Sequence, residues 1–282
     1  MQIAIRGASG LIGSALTDFL KQEGHHLYSI PRHKLDKEKL EGLDAVINLA
    51  GENISAGRWN RAKKERIYDS RIQSTKQLVK ALNQLQSPPK LFLSASAIGY
   101  YGIHPAGICD ESSPAADDFL AHVCADWEKE AGLYQGGRQV CARFGVVFSS
   151  DGGALAKMRL AFSLGVGGVL GNGEQKISWI TIDDLVAALY QIIVNPSFTG
   201  AVNICTPHPV TNRELTHSLG KVLHRPTLVP MPAFLARLFF GQMAEAMLLS
   251  SCAATPKALL DHGFSFKHPN LEAALQHLIQ RE

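Results

Sequence analysis

The chain has 282 residues, of which 46% are hydrophobic and 19% are charged, and its formal net charge is +3. This composition excludes a disordered or fibrous protein, and the small charge with scattered basic residues argues against a nucleic-acid partner. No apolar run reaches the roughly eighteen residues of a membrane span, and we expect no leader segment, because the sequence begins directly in a predicted strand. The five cysteines are widely spaced without a C-x-x-C pair, so we expect no disulfide framework and no metal site, in a cytoplasmic protein.

The first predicted element is a buried strand from Gln2 to Arg6, followed by three glycines at a spacing of three and a helix from Leu11 to Gln22. In this order the glycines permit a tight turn, the approach of a pyrophosphate to bare backbone and close packing of the helix. The alternative is a strand-to-helix turn without a ligand. We predict dinucleotide binding by the residues of the turn: Gly7, Ala8, Ser9, Gly10, Leu11, Ile12 and Gly13.

The second predicted strand, His26 to Ile30, ends in the basic segment 31–34. Dinucleotide-binding sheets select their cofactor here, because an acid accepts the ribose hydroxyls whereas an arginine pairs with a 2′-phosphate. Arg32 therefore favours NADP as the cofactor. Asp36, a few residues later, could serve NAD, and a solvated loop charge is the other interpretation of Arg32.

A third predicted strand, Asp44 to Leu49, leads into a small-residue turn. Such a turn at the carboxyl end of a strand suits the floor of a nucleotide crevice, although an ordinary strand-to-loop turn has the same composition. The next helix is predicted from about Lys63 to Leu85 and carries several arginines. Most of these charges are expected to solvate the helix face, with Arg71 as the exception.

A fourth strand from Leu91 to Ser96 ends in hydroxyl groups, and a fifth from Gln139 to Phe144 carries Arg143 near its carboxyl end. Between them a helix is predicted from Phe119 to Leu133. Five repeats of strand and helix predict an α/β fold, a Rossmann-type doubly wound parallel sheet with helices on both faces. We assign residues 1–148 to an NADP-binding domain whose sheet is completed by later strands.

Glycines break the regular alternation from Ser149 onward. We therefore predict a smaller, mixed substrate lobe over residues 149–282, including a C-terminal tail domain from about residue 230. The apolar stretch from Ala233 to Leu249 suits a homodimer interface or the core of the lobe equally well. Its markedly apolar helix, Ala233 to Phe240, is too short to span a membrane. A last helix is predicted from about Asn270 to Arg281.

Nine short motifs are spread along the whole chain: Gly7–Gly13, Asn48–Asn53, Gly57–Trp59, Ser70–Arg71, Ser94–Ser96, Trp127–Glu128, Arg143–Val147, Trp179–Asp184 and Gly263–Phe264. As a set they resemble the short-chain dehydrogenase/reductase superfamily, in its NAD(P)-dependent epimerase/dehydratase group. The similarity is to an atypical, epimerase-like branch with a short C-terminal domain of unknown function. No single motif would carry this resemblance.

The resemblance implies roles for several residues in cofactor binding. Arg32 would meet the 2′-phosphate, and Leu49 and Ala50 would line the adenine and ribose crevice. Arg71 would approach the phosphates, and Arg143 would lie near the nicotinamide. Glu65 is carried over as a further neighbour of the cofactor.

The catalytic residues of that superfamily are only partly present. Its enzymes use a Ser or Thr after the fourth strand and a Tyr-x-x-x-Lys on the next helix, where the Lys lowers the pKa of the Tyr that shuttles a proton. Ser96 fits the hydroxyl position. Alignment on Glu128, however, puts Leu120 and Cys124 at the Tyr and Lys positions, and neither can perform that chemistry.

We therefore predict Ser96 and Tyr101 as catalytic residues, with Tyr101 as a substitute acid–base group. Tyr100 and His122 are alternatives, as is Cys124, although tyrosines in such a loop often form pocket walls and a buried cysteine is often inert packing.

Together these features predict an NADP-dependent oxidoreductase or epimerase-like enzyme acting on a small polar metabolite, with nucleotide sugars as candidates. The alternative is a non-catalytic NADP(H)-binding sensor or regulatory protein, because Tyr-x-x-x-Lys is lost while the phosphate site is intact. An enzyme needs a second cavity beside the nicotinamide on which Ser96 and a proton donor converge. A sensor needs only the nucleotide crevice.

Overall fold

The computed structural model describes residues 1–32, 35–102 and 107–280. Its strands are β1 (Gln2–Arg6), β2 (His26–Ile30), β3 (Ala45–Asn48), β4 (Leu91–Ala97), β5 (Arg138–Phe144), β6 (Val146–Ser149), β7 (Lys176–Ile177), β8 (Trp179–Thr181), β9 (Gly200–Ile204) and β10 (Val210–Thr211). Six of them form one sheet in the order β2-β1-β3-β4-β5-β9, and every neighbouring pair in it is parallel. The predicted Rossmann-type doubly wound parallel sheet is confirmed.

The helices are α1 (Leu11–Gln22), α2 (Arg61–Asp69), α3 (Ile72–Leu82), α4 (Phe119–Ala131), α5 (Gly153–Ser163), α6 (Ile182–Val194), α7 (Asn212–Val222), α8 (Ala233–Phe240), α9 (Lys257–Asp261) and α10 (Leu271–Gln280). Helices α1 and α6 contact each other, and so do α3 and α4. Along β1, Ile3 and Ile5 belong to the core on the α1 side, whereas Ala4 belongs to the core on the α3 side. This alternation is that of a strand buried on both faces of a sheet.

The prediction of a single helix from Lys63 to Leu85 is wrong, because the helix is interrupted at Ser70 and Arg71, between α2 and α3. At the break, the Ser70 hydroxyl accepts a hydrogen bond from the Glu52 amide at 2.9 Å, and Arg71 Nη2 donates to the Glu52 carbonyl at 3.1 Å. The break therefore joins the helical pair to the loop after β3.

Residues beyond 148 complete the sheet and its core. Strand β9 is the sixth strand, and the buried leucines Leu259, Leu271 and Leu278 share a cluster with Ile3 and Ile5. The end of the last predicted helix at Arg281 lies outside the described residues, as do His33 and Lys34 of the segment after β2.

Two aspartates at the start of α6 hold the C-terminal segment in place. The Asp184 carboxylate accepts hydrogen bonds from the amides of Lys267 and His268 at 2.8 and 2.9 Å. Asp183 lies 3.0 Å from His277 Nε2, and the His277 ring stacks on His268. Because these contacts link α6 to α10, the Trp179–Asp184 motif has a structural role.

Helix α8 is less covered than the rest. Phe234, Leu238 and Phe239 are 64%, 64% and 61% exposed, whereas Ala236 is fully buried. Part of the predicted apolar stretch therefore faces outward, and the homodimer stays a prediction. Within the ranges described above, no helix combines the length and apolar character needed to cross a membrane.

Candidate functional site

The chain direction around β1 creates a crevice at the carboxyl edge of the sheet. Strand β2 pairs with one side of β1 and β3 with the other, which is the switch point where doubly wound sheets bind ligands. The turn from Gly7 to Gly10 lies there, between β1 and α1. The first turn of α1 contains neither a capping side chain nor an acidic residue. Its amides are therefore suited to hold an anion.

The three glycines of the turn differ in why they are needed. Gly7 has φ +89°, and a Cβ atom there would lie 2.9 Å from the Leu49 carbonyl carbon. A Cβ atom on Gly13 would lie 2.1 Å from the Gly7 carbonyl oxygen, so both glycines are required by the fold. At Gly10 the nearest atom to such a Cβ is 3.4 Å away, and the residue is exposed. The bare backbone at Gly10 therefore fits a ligand that approaches from outside.

The walls of the crevice follow β2 and β3. Leu49 and Ala50 are half-buried directly after β3, and the Leu49 amide donates to the Arg6 carbonyl at 2.8 Å. Arg32 is exposed after β2. Asp36, the residue that could serve NAD, lies 3.8 Å from Lys39. These placements put an apolar surface and an exposed guanidinium on the strands that flank the glycine turn.

Helix α5 connects the turn to the loop after β3. Lys157 Nζ donates to the carbonyl and the hydroxyl of Ser55 at 3.0 and 2.8 Å. Gly153, the first residue of α5, lies against Leu11, the first residue of α1: a Cβ atom on Gly153 would lie 3.0 Å from the Leu11 side chain. The crevice is therefore bordered by residues from beyond position 148.

Arg71 supports the loop after β3. Its guanidinium donates to the carbonyls of Ile67 and Glu52, both at 3.1 Å, and lies 5.3 Å from the Trp127 ring. Burial lowers the pKa of the Arg71 guanidinium. Arg71 is thus fixed between α2 and this loop, and its predicted contact with the phosphates stays a prediction.

Glu65 lies on the exposed face of α2, where it accepts a hydrogen bond from Arg61 at 2.9 Å. It lines a surface pocket of about 550 Å³ together with Trp59 and Phe119. Its predicted role as a cofactor neighbour also stays a prediction.

A second polar centre lies across three neighbouring strands. Ser96 of β4, Arg143 of β5 and Asn203 of β9 stand opposite one another in the sheet. Arg143 Nε and Nη2 each donate to the Glu128 carboxylate at 2.7 Å, and the Ser96 hydroxyl donates to the same carboxylate at 2.6 Å. Burial opposes the charge on Arg143, but the bonds and charge of Glu128 prevail and raise the pKa of the guanidinium. Every member of this ion pair is thus engaged within the protein.

Tyr101 completes this network and is fully buried. Its hydroxyl donates to Asn203 Oδ1 at 2.7 Å and accepts from Arg143 Nη1 at 2.8 Å, and burial raises the pKa of the phenol. The Tyr100 ring covers the Arg143 guanidinium at 3.6 Å. These contacts do not support the predicted acid–base role of Tyr101. They make Tyr101 and Tyr100 part of the packing around Arg143.

The remaining candidates do not replace a catalytic tyrosine and lysine. Cys124 is buried, and burial raises the pKa of its thiol to about 12, so it stays protonated near neutral pH. Leu120 and Cys124 both face Gly99. His122 is exposed on α4 and lies 2.7 Å from Asp117. Ser96 is 2% exposed, and its catalytic role stays a prediction.

The sequence analysis did not predict a functional or structural role for three polar residues in and beside these two regions. Arg6 was assigned only to a buried strand, and Glu128 served only to align the α4 sequence. Asn203 belongs to no motif. An arginine at the end of an otherwise apolar strand is a signal that could have drawn attention to Arg6, because a buried cation needs a reason.

One group of potential metal ligands was also not expected. The carboxylate of Asp183 and the ring nitrogens of His268 and His277 lie within 4.8 Å of one another. Their hydrogen bond and ring stacking, described above, join α10 to α6 and account for their proximity.

Comparison with known proteins shows which family the sequence matches. Residues 3–205 match the NAD dependent epimerase/dehydratase family, and residues 231–278 match a domain of unknown function, DUF1731. An epimerase family protein of Mycobacterium bovis is 40% identical over 99% of this chain and 98% of its own length.

The crystal structure of human epimerase family protein SDR39U1 (isoform 2) with NADPH has a TM-score of 0.94 at 32% identity and covers 100% of both chains. MoeE5 in complex with UDP-glucose and NAD has a TM-score of 0.81, covers 99% of this chain and 98% of its own, and is 18% identical. At that identity the likeness concerns the fold alone.

Proposed function

The chain belongs to the NAD dependent epimerase/dehydratase family, and on that premise we propose that it binds NADP(H) and uses it in an oxidoreductase or epimerase-like reaction on a small polar metabolite. Nucleotide sugars are the first substrates to try. The observation that carries the cofactor proposal is the turn before α1. Its helix amides are uncapped, and Gly10 is bare although the fold would tolerate a side chain there.

The preference for NADP(H) over NAD(H) rests on Arg32. Its side chain is exposed after β2, and it makes no ion pair with any described residue. An exposed guanidinium beside the ribose position pairs well with a 2′-phosphate and poorly with two hydroxyl groups. The human relative was crystallised with NADPH, which agrees with this preference.

Different residues of the crevice would contact different parts of the cofactor. The amides of the turn and of the first residues of α1 would hold the pyrophosphate, Leu49 and Ala50 would flank the adenosine, and Arg32 would bind the 2′-phosphate. When bound, the nicotinamide supplies or accepts a hydride. The Ser96 hydroxyl donates a hydrogen bond to Glu128 and the Tyr101 hydroxyl donates one to Asn203, so either group would have to leave its internal partner before it could act on a substrate.

A second function, an NADP(H)-binding sensor or regulatory protein without turnover, is favoured by one observation. Ser96 and Tyr101, the two predicted catalytic residues, are 2% and 0% exposed and are fully engaged in internal hydrogen bonds. A sensor needs the nucleotide crevice but no open proton-transfer centre.

Cofactor binding is tested by calorimetric titration of the purified protein with NADPH and with NADH, repeated on Arg32→Ala. Loss of the phosphate-pairing arginine should cost roughly 1.5–3 kcal/mol of NADPH binding and little of NADH binding. Arg225→Ala, which removes another exposed arginine from a loop, is the matched control and should change neither. If the wild type bound neither NADPH nor NADH, the proposed cofactor binding would be wrong.

Turnover separates the two functions. A panel of small polar metabolites and nucleotide sugars is incubated with the protein and either NADPH or NADP⁺. Absorbance follows the reduced nicotinamide, which an oxidoreductase changes, and chromatography follows the substrate, because an epimerase returns the hydride and changes only the substrate. The enzyme proposal expects turnover with one class of substrate. The sensor proposal expects none, together with a difference in hydrodynamic or proteolytic behaviour between the NADPH-bound and the NADP⁺-bound protein.

A further inference from the structure

Arg6, the last residue of β1, is a buried arginine beside the proposed cofactor crevice. It is 4% exposed although it lies next to the glycine turn at the carboxyl edge of the sheet. Its Nη1 donates to the Ser74 carbonyl at 2.8 Å, and its Nη2 donates to the Arg32 carbonyl at 3.1 Å. The guanidinium therefore connects α3 with the segment that carries Arg32.

Among the described residues, Arg6 has no carboxylate partner. Both of its hydrogen-bond acceptors are neutral carbonyls, and its buried Nε has no hydrogen-bond partner among the described residues. Burial lowers the pKa of Arg6, and the nearby positive charge of Arg32 lowers it further. A buried ion without a counterion is costly, so this site is best stabilised when an anion lies close by.

Glu52, an acid whose charge interacts with that of Arg32, is engaged with other cations. Glu52 accepts a hydrogen bond from Lys63 at 2.8 Å and lies 3.8 Å from Arg66. It acts on Arg32 only through its charge. Arg6 and Arg32 thus lie at the ends of β1 and β2, and no carboxylate in the described part of the chain forms an ion pair with either.

We propose that Arg6 is a positioning residue that sets cofactor specificity: it fixes the main chain of Arg32 and adds a buried positive charge, so that the crevice prefers a ribose 2′-phosphate. Because it is buried, Arg6 acts through Arg32 and through its field rather than by direct contact with the ligand. This inference rests on the proposed binding of NADP(H).

The probes are 2′,5′-ADP and 5′-AMP, which differ by the ribose 2′-phosphate. Calorimetric titration of wild type and Arg6→Met gives the ratio of their dissociation constants in each protein. Because the ratio is taken within one protein, partial loss of stability affects both ligands alike. We expect Arg6→Met to lower the preference for 2′,5′-ADP by about tenfold, which corresponds to about 1.4 kcal/mol. In the wild type the preference should fall as salt is added.

Arg138 is the matched control. It is also an arginine that donates only to main-chain carbonyls, those of Ile192, Ile193 and Phe198, but it lies at the opposite edge of the sheet at the start of β5. Arg138→Met should keep the wild-type ratio. An unchanged ratio in Arg6→Met, or an equal loss in Arg138→Met, would overturn the inference.

If Arg6→Met does not fold, Arg6→Lys serves instead, because it keeps the charge but cannot bridge both carbonyls. It should retain only part of the preference, and full retention would count against the positioning role. If the wild type binds neither 2′,5′-ADP nor NADPH, the proposed function fails. If it binds both and the Arg6 variants keep the ratio, only the present inference fails.

Discussion

Two polar regions lie at the carboxyl edge of one sheet, and they differ in whether their charged and polar groups have partners within the protein. Around Arg143, every charged or hydroxyl group is paired with another group of the protein. Around Gly10 and Arg32, the helix amides are uncapped and the arginine has no ion pair with any described residue. The first region contains the residues that the sequence predicts for proton transfer, and the second contains those that it predicts for phosphate binding.

The difference indicates where a ligand acts. A saturated, buried network contributes to the unique packing of the sheet and α4, and it gives a ligand nothing to replace. An unsaturated and exposed set of donors is less favourable on its own and gains most from a bound anion. The comparison therefore assigns stability to the Arg143 region and binding to the region of the glycine turn.

The largest effect is expected from unpairing Arg143. In Glu128→Gln the guanidinium stays buried without its carboxylate, so the free energy of unfolding should fall by about 3 kcal/mol. Denaturant unfolding measures this change. Glu65→Gln, which affects the exposed Arg61–Glu65 pair, should change the free energy by less than about 1 kcal/mol. Equal effects of the two variants would contradict the assignment of the Arg143 region to stability.

Two glycine variants separate fold from ligand within the turn. Gly13→Ala puts a Cβ atom against the Gly7 carbonyl and should lower the free energy of unfolding by roughly 2 kcal/mol. Gly10→Ala meets no such contact, so its stability should stay within about 0.5 kcal/mol of wild type. Its affinity for NADPH should nevertheless drop by about tenfold, since the methyl group occupies the approach to the backbone. Unimpaired NADPH binding by Gly10→Ala would show that the bare backbone has no ligand role.

Tyr101→Phe distinguishes a structural from a catalytic tyrosine. Loss of the hydroxyl leaves Asn203 Oδ1 without its donor and Arg143 Nη1 without its acceptor, so the free energy of unfolding should fall by about 1–2 kcal/mol. NADPH affinity should not change. Once a substrate is known, a loss of turnover much larger than the loss of folded protein would restore Tyr101 as an acid–base group.

The smallest effect concerns the rim of the crevice and depends on pH. A hydrogen bond from Lys63, and then its charge, hold the pKa of Glu52 below the ordinary value of 4.5. A carboxylate with a lowered pKa stabilises the fold above its unfolded pKa, and this contribution is lost as the pH falls through the folded pKa. The free energy of unfolding of wild type should exceed that of Glu52→Gln by about 1 kcal/mol near neutral pH, because the Glu52 carboxylate is 25% exposed and screened by solvent, although Lys63 is buried.

Thermal unfolding of both proteins between neutral pH and pH values below 4.5 measures this effect. The difference between them should disappear in the acid range. A difference that grows toward acid would mean that the protonated form of Glu52 is the stabilising one.

Local patterns in the sequence were enough to predict the sheet and the glycine turn. Strand length, glycine spacing and the helix pattern after Gly13 all lie within a few residues of one another, so neighbours in sequence decide them. The break at Ser70 was not predictable, because its cause is a contact with Glu52 in another loop. Helix formers on both sides of the break concealed it.

The Arg143 region shows the limit most clearly. Ser96, Arg143 and Asn203 meet only because β4, β5 and β9 pair in one register, and no local pattern fixes that register for β9. Tyr101 was expected to face a substrate, yet Asn203 from the sixth strand binds its hydroxyl. A motif could suggest which residue types matter, but the pairing of distant strands decides whether they are exposed.

The preference for NADPH should depend on the turn and Arg32, and not on the Tyr101 hydroxyl beside Arg143, whose contact with the nicotinamide stays a prediction. The most direct test compares NADPH and NADH dissociation constants in wild type, Arg32→Ala and Tyr101→Phe under one set of conditions. We expect wild type and Tyr101→Phe to prefer NADPH equally and Arg32→Ala to lose between about tenfold and about 150-fold of that preference, which corresponds to roughly 1.5–3 kcal/mol. Loss of the preference in Tyr101→Phe with retention in Arg32→Ala would contradict the account.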